Sequence, residues 1–349
     1  MPGVNYGPPR LRRPAGDSVE WPCRMMLRTF PYHIAPRAER PSPGCMPMRL
    51  TLFRTDIFPV PLPPGHRFPL AKYAGVVRWA QQQGRAFELR VPPAASDEQL
   101  SLVHTRDYLT RLAAGELTPL EIRRIGFPWS AELVERSRRS VGATICAAQL
   151  AWQRGFAANL AGGTHHAFSD SGQGYCVFND VAVAARVLQR TVGPISIAVI
   201  DCDVHQGNGT AHIFAADPSV FTFSIHGAKN FPFRKCDGDL DIALPDATDD
   251  ATYLAALKAG LEEVFARSRP QFVFYIAGAD PYVGDRLGRL SLTKPGLAAR
   301  DRLVLAACRE RHIPVALTLG GGYAPNVDDI IAIHAQSLDV ARRVFTAPG

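Results

Sequence analysis

From residue 50 onward the chain switches repeatedly between two apolar patterns. Short segments such as Leu50-Thr51-Leu52-Phe53, Ile195 to Ile200, Phe272 to Ile276 and Pro314 to Leu319 are apolar almost throughout. A strand with one wet face would alternate, so these read as strands covered on both sides. Between them apolar residues recur three and four apart. The clearest case follows Ser130, a good cap, and Glu132, which suits a positive helix end: Leu133, Ser137, Val141, Ile145, Ala148 and Trp152 then fall on one face. A second amphipathic run, 251–267, carries Tyr253, Leu254, Leu257, Leu261, Val264 and Phe265. The full reading predicts strands at 50–53, 157–160, 195–201, 221–225, 272–276 and 314–319. Helices are expected at about 69–83, 97–103, 105–114, 117–124, 130–152, 180–191, 206–215, 251–267, 295–311 and 326–344. Strand-helix alternation of this kind predicts right-handed βαβ units and an α/β fold, a doubly wound, mostly parallel sheet flanked by helices. With no internal repeat and no linker after residue 46, one domain is expected over 46–349.

Composition changes this picture mainly at the N-terminus. Residues 1–45 are rich in Pro, Gly and Arg without sustained periodicity, and read as a disordered or loosely attached extension. Arg12-Arg13 is not followed by an apolar stretch, so an export signal is a poor fit, and Met46 and Met48 stand as alternative translation starts. Of the net charge of +7, +4 belongs to this segment, leaving only +3 on the rest. There is no basic helix, zinc-finger spacing or aromatic-interleaved basic strand to favour nucleic acid, and no apolar run long enough to cross a bilayer. The seven cysteines form no Cys-x-x-Cys pair, which points to a reduced, cytoplasmic protein.

The chemistry collects where the strands end. The strand at 195–201 runs into Asp201-Cys202-Asp203-Val204-His205-Gln206-Gly207-Asn208-Gly209. In an extended segment Asp201, Asp203 and His205 share one side. Two carboxylates and an imidazole, with no thiolate, suit a catalytic zinc or another divalent ion better than a structural zinc knot. Helix capping by Asp is the bland alternative. Other strand ends lead into Gly162-Gly163-Thr164-His165-His166, His226, Ala279-Asp280-Pro281 and Gly320-Gly321-Gly322-Tyr323. Singly, these could be surface histidines, turns or packing. Their meeting at the carboxyl edge of one parallel sheet, where open α/β sheets bind ligands, favours a site.

Taken in order, the segments 162–167, 174–180, 201–209, 277–281 and 320–323 resemble the motif series of the histone deacetylase family over about residues 48–345. They are most similar to class IV, bacterial-type members, whose Gln-Gly-Asn-Gly and Ala-Asp-Pro-Tyr-x-Gly-Asp-Arg-Leu-Gly patterns recur at 206–209 and 279–288. The resemblance implies the arginase/deacetylase fold and a zinc-dependent amidohydrolase, with ferrous iron as the alternative metal. Asp203, His205 and Asp280 would hold the ion. His166 would be the general base, His165 its charge-stabilising partner, and Tyr323 the oxyanion donor. Asp201 and Asn208 would orient His165 and His166, and Asn208 departs from branches that carry Asp there. Tyr175 and Phe231, with Gly174 and Gly321, would wall an acyl-lysine tunnel, and Asp201 with Ser224 would belong to a structural potassium site. The rim Asp of other branches falls at Arg106, beside Asp107, which puts recognition of a peptide backbone in question.

The expected substrate is an acetyl-lysine or longer acyl-lysine protein or peptide. A small acyl-amine such as an acetylpolyamine is the alternative within enzymes, and a catalytically silent acyl-binding scaffold the alternative outside them. An arginase-like two-metal site would need further carboxylates, which Gln206-Gly207-Asn208 does not supply.

Overall fold

The computed structural model describes residues 49–347, so the expectation for residues 1–45 falls outside the described residues. Eight strands form one sheet: β1 Leu50–Phe53, β2 Phe87–Arg90, β3 Phe156–Asn159, β4 Ile197–Asp201, β5 Val220–Gly227, β6 Leu240–Leu244, β7 Phe272–Ile276 and β8 Val315–Thr318. Their order is β2-β1-β3-β8-β7-β4-β5-β6, with every pair parallel. Each link between parallel neighbours must therefore cross over a face of the sheet, which is the work of the helices, of which α1 Ala71–Gln82, α2 Asp97–Leu100, α3 Arg106–Ala114 and α4 Pro119–Ile125 precede β3.

Period-two alternation divides the strand side chains between two cores. Ala198 and Ile200 of β4 join Val273, Tyr275, Val315 and Leu317 in one, with Leu257, Leu261, Leu297 and Leu338 from the helices Asp250–Ser268 (α8), Lys294–Glu310 (α9) and Val327–Thr346 (α10). Ile197 and Val199 turn the other way with Phe272, Phe274 and Ile276, against Val141, Ala148, Val181 and Leu188 of the helices Ala131–Arg154 (α5) and Asp180–Val192 (α6). Both faces are dry, which is why the central strands read as unbroken apolar runs. Ser130 accepts the Leu133 amide at 3.0 Å at the start of α5, and Gly155 at φ 91° ends it.

Two strands are absent from the sequence reading, and both are edges. In β2 Glu88 and Arg90 pair with each other at 2.9 Å, and β6 interposes Asp241 between apolar neighbours. Edge strands need only one buried face and carry charge that discourages further pairing, so their apolar signal is weak. The helix expected at 206–215 is shorter, Asn208–Phe214 (α7), because Gln206 is drawn aside to hold Cys236 O and Asp241 at 2.8 Å each. Similarly, the helix expected at 97–103 closes at Leu100. Among the described residues no helix is long and apolar enough to cross a membrane.

Candidate active site

β4 and β7 are neighbours in register through Asp201 and Ile276, so the loops that leave their carboxyl ends lie side by side. Asp203 and His205 come from the first loop and Asp280 from the second; all three are buried, with one ligand atom of each within 4.8 Å of the others. Backbone amides aim the carboxylates: Gly321 N–H donates to Asp203 Oδ2 at 2.8 Å and Val204 N–H to Asp280 Oδ1 at 2.9 Å. His205 Nδ1 stands 3.0 Å from Asp203 Oδ1 and 3.2 Å from Asp280 Oδ2. The geometry to Asp280 is not that of a hydrogen bond, so Asp280 Oδ2 is a buried acceptor without a donor.

The charges here call for a cation. Burial and the adjacent Asp203 push the Asp280 carboxyl up to about 7. Burial opposes charge on His205, yet its contacts with Asp203 and Asp280 raise it to about 10. Burial also disfavours an ionised Asp203, but His165 and His205 outweigh it and hold that carboxyl well below the usual range. Two oxygens and a nitrogen around an orphaned acceptor fit a divalent ion with open positions. Asp201 differs from the sequence expectation of three convergent groups. It turns back, accepting the Asp203 amide at 3.0 Å through Oδ1 and facing His165 through Oδ2, and so stays outside the cluster.

After β3 the chain turns through Gly162 (φ 76°) and Gly163 (φ 70°), a left-handed pair that glycine adopts freely. The buried Asp180 fixes this turn, accepting from Gly163 N at 3.1 Å, Thr164 N at 2.8 Å and Thr164 Oγ1 at 2.6 Å. His165 and His166 follow, 3% and 4% exposed, with ring centroids 4.1 Å apart. His165 Nδ1 meets Asp201 Oδ2 at 2.5 Å, and His166 Nδ1 meets Asn208 Oδ1 at 2.7 Å. The amide oxygen only accepts, so Nδ1 of His166 carries the proton and Nε2 is left with a lone pair. Burial, then the charges of His165 and His205, hold His166 well below its ordinary value. Burial also opposes charge on His165, but Asp201 and Asp203 raise it to about 9. The two neighbours are thus pushed in opposite directions, His166 toward its neutral form with Nε2 free and His165 toward its protonated form beside Asp201.

Tyr323 follows β8 through the glycine turn, its amide donating to Asp285 Oδ2 at 2.6 Å. It lines a cavity of about 90 Å³ together with Asp203, His205, His165, His166 and Tyr175. Gly321 has no room for a side chain: a Cβ there would fall 2.1 Å from Asp280 Oδ2. Gly174, at φ 57°, is confined in the same way, since a Cβ on it would fall 2.6 Å from the His166 ring. Tyr175, also left-handed at φ 65°, packs on Phe68 and Phe127 at centroid distances of 5.1 Å each and on Tyr323 at 5.8 Å. Phe231 sets its edge to His166, 4.9 Å between centroids at 86°.

Some candidates stay apart. Arg106 does not line the cavity; it opens the helix Arg106–Ala114, whereas Phe127 lines the cavity beside Tyr175. His226 pairs with Ser224 Oγ at 2.9 Å, and burial lowers it to about 4. Ser224 is the register partner of Asp201. Sequence reasoning missed the roles of Asp180, Asp285 and the buried Arg300, whose Nη1 donates to Gly278 O at 2.5 Å and Cys202 O at 3.3 Å beneath both ligand loops. Asp180 and Asp285 stand inside motif segments, which was the available signal; Arg300 sits in α9, where nothing marks it.

Residues 66–338 match the sequence family described as the histone deacetylase domain. The chain belongs to the histone deacetylase family. An uncharacterized protein of Picosynechococcus is 46% identical over 294 residues, covering 82% of this chain and 96% of that one. Histone deacetylase 2 of Arabidopsis thaliana is 30% identical over 297 residues, covering 81% and 76% respectively. A solved structure described as an HDAC homolog complexed with SAHA superposes with a TM-score of 0.72 at 26% identity, covering 84% of each chain. The single parallel sheet flanked by helices is therefore the arginase/deacetylase fold, and membership supports a deacetylase function.

Proposed function

We propose that this protein is a zinc-dependent amidohydrolase that removes acetyl or other acyl groups from lysine side chains. The observation that carries the reading is one cavity lined by Asp203, His205, His165, His166 and Tyr323, with Asp280 completing the buried Asp/His/Asp cluster behind it. A silent binder needs neither a base nor an oxyanion donor. Asp203, His205 and Asp280 would hold the metal, which when bound polarises the amide carbonyl and acidifies water. His166 Nε2 takes the proton of the attacking water and returns it to the departing amine. His165 stays protonated through its bond to Asp201 and offsets the negative charge developing beside it. The Tyr323 hydroxyl, raised well above its ordinary value by burial, keeps its proton and donates to the carbonyl oxygen as it becomes tetrahedral. Tyr175 and Phe231 would hold the substrate's methylene chain. Asp201 with Ser224 would contribute to a structural potassium site, and the cytoplasm is the expected compartment. Among the described residues one such metal-ligand cluster is found, which supports a single-metal mechanism over an arginase-like pair.

The test is acetate release from an acetyl-lysine peptide and from an acetylpolyamine by zinc-loaded protein. Turnover of the peptide, lost on chelation and restored by zinc, is expected. Turnover of the polyamine alone would replace the substrate, and binding without turnover would favour the scaffold.

A further inference from the structure

Arg136 has no part in the chemistry above, yet it lines the same cavity, in company with Tyr73, Leu133, Ser137 and Ser140. It projects from α5 and is only 9% exposed. Its Nη1 donates to Thr55 O at 2.8 Å and Phe58 O at 2.9 Å, and the guanidinium lies over the Tyr73 ring, 4.6 Å from its centroid. Nη2 is buried and has no hydrogen-bond acceptor. The carboxylate that acts on it, Asp56, is already held by Arg54 at 2.7 and 2.6 Å. A second buried cation, Lys72, places Nζ 5.3 Å from the centroid of the same Tyr73 ring and makes only long contacts, 3.4 Å each, to Gly320 O and Gly322 O. Burial lowers the Arg136 pKa, outweighing the neighbouring Tyr73 and Asp56, which act to raise it.

A buried guanidinium with a free N–H is costly when no partner reaches it. A carboxylate is its best partner, because the bond that Nη2 would donate to an ionised acceptor is charge-assisted. A neutral alkyl tail in this cavity would cover the guanidinium and leave it without an acceptor. The volume of about 90 Å³ also suits a short chain better than a long one.

We propose that Arg136 reads a carboxylate at the far end of the acyl group, so that the site prefers short carboxylate-terminated acyl amines, of the succinyl or glutaryl type, over neutral acyl chains of equal length. The inference rests on the amide-hydrolase reading above and adds no new step. Water gives its hydroxyl to the acyl carbon, the C–N bond breaks, the amine leaves with the proton, and the products are a free amine and a dicarboxylate.

The experiment uses zinc-loaded full-length protein and lysine peptides bearing succinyl or its neutral carboxamide isostere, with the acetyl peptide as reference. A succinyl-to-carboxamide ratio of kcat/KM of about tenfold or more is expected, the worth of one charge-assisted bond. That ratio should fall close to one in Arg136→Gln. Because Arg136 also holds two backbone carbonyls, Arg136→Lys is measured beside it, with thermal midpoints of both, and should retain part of the preference. Equal turnover of the two acyl groups by the wild type, or a preference that survives Arg136→Gln, would overturn the proposal. If no acyl amide is hydrolysed, the amidohydrolase reading fails by itself, and calorimetric binding of succinate decides: binding by the wild type that is lost in Arg136→Gln sustains the carboxylate site, and equal or absent binding removes it.

Discussion

At the scale of single residues, the proton on His166 Nδ1 has an amide oxygen to meet, Asn208 Oδ1 at 2.7 Å, and this decides which nitrogen can act as base. A carboxylate in that place would stabilise the imidazolium, as Asp201 does for His165. Since catalysis needs His166 neutral and its pKa is already depressed, Asn208→Asp should move the acid limb of the kcat/KM profile to higher pH. A shift of about one unit corresponds to about 1.4 kcal/mol of added interaction; an unmoved limb would break the His166–Asn208 assignment. For Tyr323→Phe, kcat should drop about 10²–10³-fold with little change in KM, since the lost hydroxyl donates chiefly to the transition state. Steady-state kinetics on an acetyl peptide would show this, and a comparable rise in KM alone would assign Tyr323 to substrate binding instead.

Elements set where these residues stand. The loops after β3, β4, β7 and β8 converge because those strands are consecutive in the sheet, and glycine turns let the loops approach one another closely. Gly321→Ala would set a methyl 2.1 Å from Asp280 Oδ2 and 2.7 Å from Asp203 Oδ2. The carboxylates must give way, so metal affinity should fall about 10–100-fold, the range seen when groups supporting metal ligands are disturbed. Competition with a chromogenic chelator would report it, and unchanged affinity would mean that the turn yields instead. This scale also explains what was legible in the sequence. Central strands and long helices declare themselves by apolar period, whereas β2 and β6 carry edge charge that interrupts it. The motif residues at strand ends could be read as a site. The aromatic wall of Phe68 and Phe127 could not, because it is assembled by loops distant in sequence from Tyr175.

For the whole molecule, the ion pair beneath the site ties function to stability. Arg300 and Asp301 are fully buried; Asp301 accepts from Tyr275 Oη at 2.5 Å and Ser337 Oγ at 2.6 Å, while Arg300 holds the carbonyls of both ligand loops. Arg300→Met strands a buried carboxylate and should cost about 3–5 kcal/mol, read from denaturant midpoints. A loss under about 1 kcal/mol would show that the network contributes little. No apolar period marks such a pair, since a buried arginine in α9 looks in sequence like a solvated one. Metal uptake also acts at this scale: the proton shared by His205 and its carboxylates must leave as a cation enters, so metal affinity should weaken as pH falls. The claim on which all of this depends is that the Asp/His/Asp cluster and His166 together hydrolyse an acyl-lysine amide. Acetate release from an acetyl-lysine peptide by zinc-loaded wild type and by His166→Ala tests it most directly, with bound zinc measured in both. Turnover by the wild type, abolished in the variant while its zinc is retained, is the expected result; a zinc-loaded wild type that releases no acetate, or a variant as active as the wild type, would contradict it.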